Sequence, residues 1–340
     1  WSSDVCSSDL GKVSGETDSA VRLTIGESTF EGFFSTNGER YFIEPAKRYS
    51  AFASVNEFVV YKPENIFRDA SFVCPDDLGG QIEDGKRMVL DNVPGAVSSL
   101  RVLEIATEAD YDFVLTTNNS ASAANDKVLS ILNLVEGLYE SELNMSIIVV
   151  FQHAYSSADQ LNGTNSSTLL DSFIADWNTR YPRGQYPRDT AHLFTYKPNV
   201  RAQGFAYYST VCANQDHAFG LSGRVDPSWG WEQANSMVTG HEIAHNLGAQ
   251  HSDGVSGCTN TLMNAQLSGD TQFTFCSASR TEMETFVGQN GECMVPQTRG
   301  WYDFDGDGKT DVSIYRPDAG EWWINRSANN QTVAAQFGNS

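Results

Sequence analysis

The sequence predicts an α/β fold. Its centre is a domain built on a twisted, mostly parallel sheet, with a β-rich unit before it and a short strand-bearing segment after it. Three observations lead there. From residue 101 onward, apolar strand-like runs alternate with stretches of helical periodicity, which is the pattern of a parallel sheet with crossover helices. Ahead of that lie short alternating runs punctuated by Gly and Asn, the pattern of hairpins. Third, residues 241–251 read His-Glu-Ile-Ala-His-Asn-Leu-Gly-Ala-Gln-His, a string with a definite place in such a fold.

The elements follow in order. Residues 1–10, Trp-Ser-Ser-Asp-Val-Cys-Ser-Ser-Asp-Leu, read as a sequencing-library adapter translated as codons. They are set aside, Cys6 with them, and the natural N-terminus is then expected upstream. Residues 21–25, 29–34, 40–44 and 57–61 are predicted strands of the β-rich unit, with turns at Gly26 and Asn37-Gly38. Residues 76–97 carry Gly79-Gly80, Asp84-Gly85 and Pro94-Gly95 with little periodicity, so they read as a linker. Lys86-Arg87 within it is a candidate processing site, or an ordinary pair of surface charges.

Strands are expected at 101–106, 145–152, 191–196, 204–211 and 217–223, with helices at 120–143 and 169–177. In the first helix Val128, Leu129, Leu132, Val135, Leu138 and Tyr139 recur at helical spacing; in the second Phe173, Ile174 and Trp177 share a face. Ala234, Met237, Val238, His241, Ala244 and His245 fall on one face of a further helix. After Cys293 the texture changes to a linker at residues 296–300, an Asp- and Gly-rich loop, and an aromatic-rich strand pair around Tyr315 and Trp322-Trp323.

The chemistry concentrates at 241–251. His241 and His245 are four apart and stand one turn above each other on a helix. Gly248 can take positive φ, end that helix and return the chain so that His251 becomes a third imidazole at the same point. Three protein ligands on zinc leave the fourth position to water, the arrangement of a catalytic site. In this reading zinc brings the pKa of its water to roughly 7, and Glu242 is general base and then acid in peptide-bond hydrolysis.

This string, with Met263 twelve residues beyond the last His, resembles the metzincin clan of zinc endopeptidases. The resemblance implies a metzincin catalytic domain with a Met-turn subdomain and makes Met263 the Met-turn residue. Within the clan the chain looks most like the reprolysin (adamalysin) branch. The residues behind this are His-Asn-Leu-Gly at 245–248, Asp-Thr-Ala-His-Leu-Phe-Thr at 189–195 and Gly-Phe-Ala-Tyr-Tyr-Ser-Thr-Val-Cys at 204–212. One position departs: reprolysins usually carry Asp directly after the third His, whereas here Ser252 stands there, as in matrixins, and Asp253 follows. Ala265 lies two residues past Met263, so the extra tyrosine ligand of astacins and serralysins is not expected.

Cysteine usage fits an oxidising compartment. Setting Cys6 aside, Cys212, Cys258, Cys276 and Cys293 allow two disulfides in three connectivities. The reprolysin resemblance implies Cys212–Cys293, with Cys258 and Cys276 then bracketing the Met-turn. It also places residues 217–223 as the edge strand along which substrate is added. Cys74, in Val-Cys-Pro-Asp, stands upstream of the zinc domain. In several zinc proteases a propeptide thiolate takes the fourth zinc position, so Cys74 is a candidate cysteine switch.

Residues 303–311 carry Asp303, Asp305, Asp307 and Asp311 around two glycines, which suits Ca²⁺. The segment resembles the calcium loop of an FG-GAP repeat. One blade cannot close a propeller, so more repeats are expected beyond residue 340.

The domains expected are therefore 11–97, prodomain and linker; 98–296, the zinc protease domain; and 300–340, an incomplete FG-GAP-like repeat. A formal charge of −21 (22 basic against 43 acidic residues) argues against nucleic acid as a partner, and no apolar run is long enough to span a bilayer. The reading is a secreted zinc metalloendopeptidase made as a zymogen, acting on protein or peptide substrates. Its rival is a catalytically idle, calcium-dependent adhesion or binding protein.

Overall fold

The computed structural model describes residues 7–16, 19–25, 30–62, 72–74, 101–201, 203–225, 233–294, 312–316, 321–326 and 331–336. The expected linker at 76–97 and the expected calcium loop, with Asp303, Asp305, Asp307 and Asp311, lie outside them.

Five antiparallel strands in sequence order form the N-terminal sheet: β1 (Ser7–Gly11), whose first four residues belong to the segment read above as adapter-derived, β2 (Ala20–Ile25), β3 (Phe30–Thr36), β4 (Glu39–Pro45) and β5 (Phe58–Tyr61). The tight β3–β4 turn has both Asn37 and Gly38 at positive φ (54° and 76°), the demand of a type I′ hairpin. The two-residue strand β6 (Phe72–Val73) stands apart from this sheet.

The central sheet begins with β7 (Arg101–Ala109). A short helix α1 (Tyr111–Leu115) and the long α2 (Ala121–Leu143) follow it. Ser120 caps α2 through its side chain, and Asn144 ends it in the left-handed region at φ 49°, satisfying helix ends that would otherwise be orphaned. The chain continues through β8 (Met145–Ala154), α3 (Ser166–Arg180), β9 (Thr190–Thr195), β10 (Gly204–Ala206) and β11 (Phe219–Gly223). The strand order is β10-β11-β9-β7-β8, parallel throughout except for β10, which runs antiparallel to β11.

This corrects the expected edge. Residues 217–223 were assigned to it, yet Phe219–Gly223 pairs on both sides and Gly204–Ala206 is outermost. Residues 207–211, expected to prolong that strand, instead turn away. Their amides bond to the end of another helix: Ser209 N to His245 O at 2.9 Å and Thr210 N to Asn246 O at 3.0 Å.

That helix is α4 (Ala234–Asn246), buried along its whole length, not amphipathic with one apolar face. Beyond it come β12 (Gln266–Leu267) and α5 (Ser277–Asn290), the latter unpredicted because its surface is largely polar. Near the C-terminal end β13 (Val312–Arg316), β14 (Glu321–Asn325) and β15 (Thr332–Gln336) make an antiparallel meander.

Two apolar layers sandwich the central sheet. On one face Leu169, Leu170, Phe173 and Trp177 of α3 pack on Ala191, Leu193, Phe219 and Leu221. On the other, α2, α4 and α5 form a larger core with Leu103, Ile105 and Phe194. Burial on this scale, at about 25 cal/mol per Å² of apolar surface, fixes α4 between sheet and helix. Tyr139 of α2 adds a hydrogen bond from its hydroxyl to Gly240 O at 2.7 Å. Among the described residues no helix is long and apolar enough to cross a membrane.

Candidate active site

Helix α4 places His241 and His245 one turn apart, both 1 % exposed. The helix ends as its sequence requires. Gly248 takes φ +99°, and a Cβ there would stand 2.7 Å from Phe286 Cβ, so both backbone and space exclude other residues. Ala249 N then bonds back to Ala244 O at 2.9 Å and Gly248 N to His245 O at 2.9 Å, closing the helix in a Schellman-like turn. The chain returns at His251, whose Nε2 lies 3.2 Å from His241 Nε2.

The other ring nitrogens fix the tautomers. His241 Nδ1 is 2.6 Å from Leu262 O and His245 Nδ1 is 2.7 Å from Ala249 O. A carbonyl only accepts, so the proton sits on Nδ1 and the Nε2 lone pairs turn inward, the outer-shell arrangement of metal-ligating histidines. Burial depresses both pKa values, His241 to about 3 and His245 well below its usual value, with neighbouring imidazoles adding to the effect. Both rings are therefore neutral, as ligands must be.

A fourth group completes the cluster. Cys74 Sγ lies 3.7 Å from His245 Nε2, and the ligand atoms of Cys74, His241, His245 and His251 all fall within 4.8 Å of one another. These spacings can be tested against zinc. Nitrogens about 2.05 Å from a tetrahedral ion stand about 3.3 Å apart, and a sulfur at about 2.3 Å stands about 3.6 Å from a nitrogen. The observed 3.2 and 3.7 Å fit, and a three-imidazole, one-thiolate donor set is one that zinc accepts.

Short strand pairing delivers Cys74. β6 pairs antiparallel with β12, Val73 opposite Gln266 and Phe72 opposite Leu267, and Cys74 N donates to Ala265 O at 2.9 Å. Cys74 is buried and belongs to neither disulfide.

Glu242, 1 % exposed, has an Oε2 with no hydrogen-bond partner among the described residues. Burial pushes its carboxyl well above the usual carboxylate range, while contact with Cys74 works in the opposite direction. Its space comes from Gly204 of edge strand β10, where a Cβ would fall 2.0 Å from Glu242 Oε1.

Met263 is fully buried. The turn around it is stitched to the site from both sides, by His241 Nδ1 to Leu262 O and by Ser252 N to Met263 O at 2.8 Å. Disulfides join Cys212 to Cys293 and Cys258 to Cys276, the second bracketing the Met263 turn.

Several contributors escaped the sequence reading. Asn246 is wholly buried. Its Nδ2 donates to Tyr207 O at 2.8 Å and Phe219 O at 3.0 Å, and its Oδ1 accepts from Thr190 at 3.0 Å, tying the end of α4 to the sheet. The Tyr208 ring lies 4.3 Å from that of His245. Ser252, the departure noted above, is buried and accepts from Asn264 Nδ2 at 3.3 Å, while Asp253 takes Ala265 N at 2.8 Å. Both residues after His251 thus hold the Met263 turn. The advance signals were the asparagine beside the histidine string and the Ser252-Asp253 pair directly after it.

A family model described as reprolysin (M12B) family zinc metalloprotease matches residues 102–297.

Proposed function

The chain belongs to the reprolysin (M12B) family and is a zinc metalloendopeptidase; on that premise, we propose that His241, His245 and His251 hold its catalytic zinc, that Glu242 is the general base, and that Cys74 keeps the protein latent as a secreted zymogen. The convergence of three imidazoles and one upstream thiol within 4.8 Å carries this reading. Zinc, when bound, supplies Lewis acidity that brings water toward a pKa of about 7 and polarises a peptide carbonyl.

The chain's own groups do the rest. Glu242, with one carboxylate oxygen uncommitted, takes the proton of the attacking water and returns it to the leaving amine. Edge strand β10 offers its outer backbone to an extended substrate, which adds as a further strand, and Gly204 on that strand borders Glu242. Scissile bond and base are thereby brought to the same spot. Met263 and its disulfide-bracketed turn form the floor on which His241 is oriented. In the latent state the Cys74 thiolate occupies the position that water needs.

Secretion is supported by the two disulfides, which persist in oxidising compartments. A calcium loop at Asp303, Asp305, Asp307 and Asp311 remains a proposal from sequence. The idle-adhesion alternative is not favoured by membership of a protease family. The test is hydrolysis of a peptide library by the processed protein, with the metal assayed. One zinc per chain and activity lost to a chelator and restored by zinc are expected; hydrolysis indifferent to chelation would reject the site.

A further inference from the structure

The return that brings His251 back to His241 runs through Gly248 at φ +99°. Glycine has more backbone freedom than any other residue, so it can make that turn but cannot hold it. Groups at a functional site must be kept within about 0.5 Å of their working positions. The stiffness has to come from outside the turn.

Helix α5 supplies it. Glu282 and Phe286 are four apart and share one face of the helix, and that face meets the turn. Phe286 Cβ backs directly onto Gly248, 2.7 Å from where a Cβ there would stand. Glu282 Oε2 accepts from Gln250 N at 3.0 Å, a charge-assisted bond to backbone. On the other side of His251, Ser252 N donates to Met263 O at 2.8 Å. The amides flanking the third histidine are thus each tied, one to α5 and one to the Met263 turn. The same return serves a second imidazole, since Ala249 O receives His245 Nδ1 at 2.7 Å.

α5 is itself firmly placed. Met283 and Val287, both buried, carry its inner face into the main core. Its N-cap, Cys276, is joined to Cys258 in the loop after His251, and Cys293, three residues past its end, is joined to Cys212. Cys212 follows the segment whose Ser209 and Thr210 amides bond to the last carbonyls of α4. Both crosslinks therefore lead back to chain beside the histidines. His241 needs no such support, because it rides on a helix buried along its whole length.

We propose that Glu282 and Phe286 are positioning residues for the zinc site: they hold the turn at 248–250 so that His251 stays in place, and through them α5 sets how tightly zinc is retained. This rests on His241, His245 and His251 being the zinc ligands. Neither Glu282 nor Phe286 is itself a ligand. Without the Glu282 bond the Gln250 amide is released and the turn relaxes about Gly248. The third imidazole then leaves more often, while the two on α4 stay.

The experiment uses the full chain carrying Cys74→Ala, so that the thiol does not contribute a donor. Its zinc dissociation constant is measured by competition with a chromophoric chelator, beside the melting temperature of the metal-free protein. Glu282→Ala should weaken zinc binding at least about tenfold, the low end for outer-shell partners of a metal, with metal-free melting unchanged. Glu282→Gln, whose amide oxygen still accepts from Gln250, should bind zinc nearly as the parent does. If Glu282→Ala does not fold, Phe286→Leu, which stays apolar and loses the ring, takes its place with the same expected loss. Unchanged affinity, a loss matched by lower metal-free melting, or a loss that Glu282→Gln fails to restore would each overturn the positioning role. A parent that binds no zinc, or His251→Ala binding it as tightly as the parent, would instead overturn the ligand assignment and this inference with it.

Discussion

The sulfur of Cys74 lies 3.7 Å from Nε2 of His245, across 171 residues of chain. Nothing local brings the two together. A two-residue pairing of Phe72 and Val73 with Leu267 and Gln266 sets the register, and a slip of one residue there would point the thiol to the other face. The four-donor cluster is therefore built jointly by the upstream segment and by the chain just past Met263.

Replacing Cys74 tests this directly. Cys74→Ala precursor should hydrolyse peptide without processing, at least about tenfold faster than wild-type precursor, since water regains the fourth position. With cobalt in place of zinc, the wild type should show a thiolate-to-metal charge-transfer band that the variant lacks. A variant precursor as silent as wild type, with the band unchanged, would exclude the thiol as the block.

Glu242→Gln keeps the shape and removes the carboxylate proposed as the base. Turnover should fall by about 10²–10⁴-fold, the range for a positioned general base, while zinc content and thermal stability hold. Retained turnover would reassign the base.

Gly204→Ala tests the wall of the site. The new Cβ, 2.0 Å from Glu242 Oε1, must push the carboxylate aside. A displacement near 1 Å costs on the order of 10²-fold in rate. The loss should appear in kcat more than in KM, with the metal still bound. Full activity would show that β10 yields at this point.

Asp110 sets a pH dependence away from the metal. It caps α1, accepting from Phe113 N at 2.8 Å, and burial pushes its carboxyl up to about 7, with the Thr195 hydroxyl and Lys197 opposing. The folded pKa exceeds the unfolded value, so the folded state binds the extra proton. Stability from this group is present below about pH 4 and is lost as pH rises toward 7. Relative to Asp110→Asn, wild type should lose on the order of 1 kcal/mol per pH unit across that window, read from urea midpoints. Parallel pH curves for the two proteins would refute the shift.

What the sequence determined by itself is local and periodic. The spacing of His241, Glu242, His245, Gly248 and His251 dictates a helix, a left-handed turn and a return, because 3.6 residues per turn and the freedom of one glycine suffice. Strand alternation around Phe33 and Phe42, and the helical repeat of residues 121–143, were legible for the same reason. The tertiary structure decided which strand is the edge: backbone pairing on both sides of Phe219–Gly223 leaves no trace in residue type. It also decided that Gly204 makes room for Glu242, that Asn246 ties α4 to the sheet, and that Gly137 admits Arg22 and Phe33. Each is a close approach between residues far apart in sequence, and such contacts are specified by packing rather than by period.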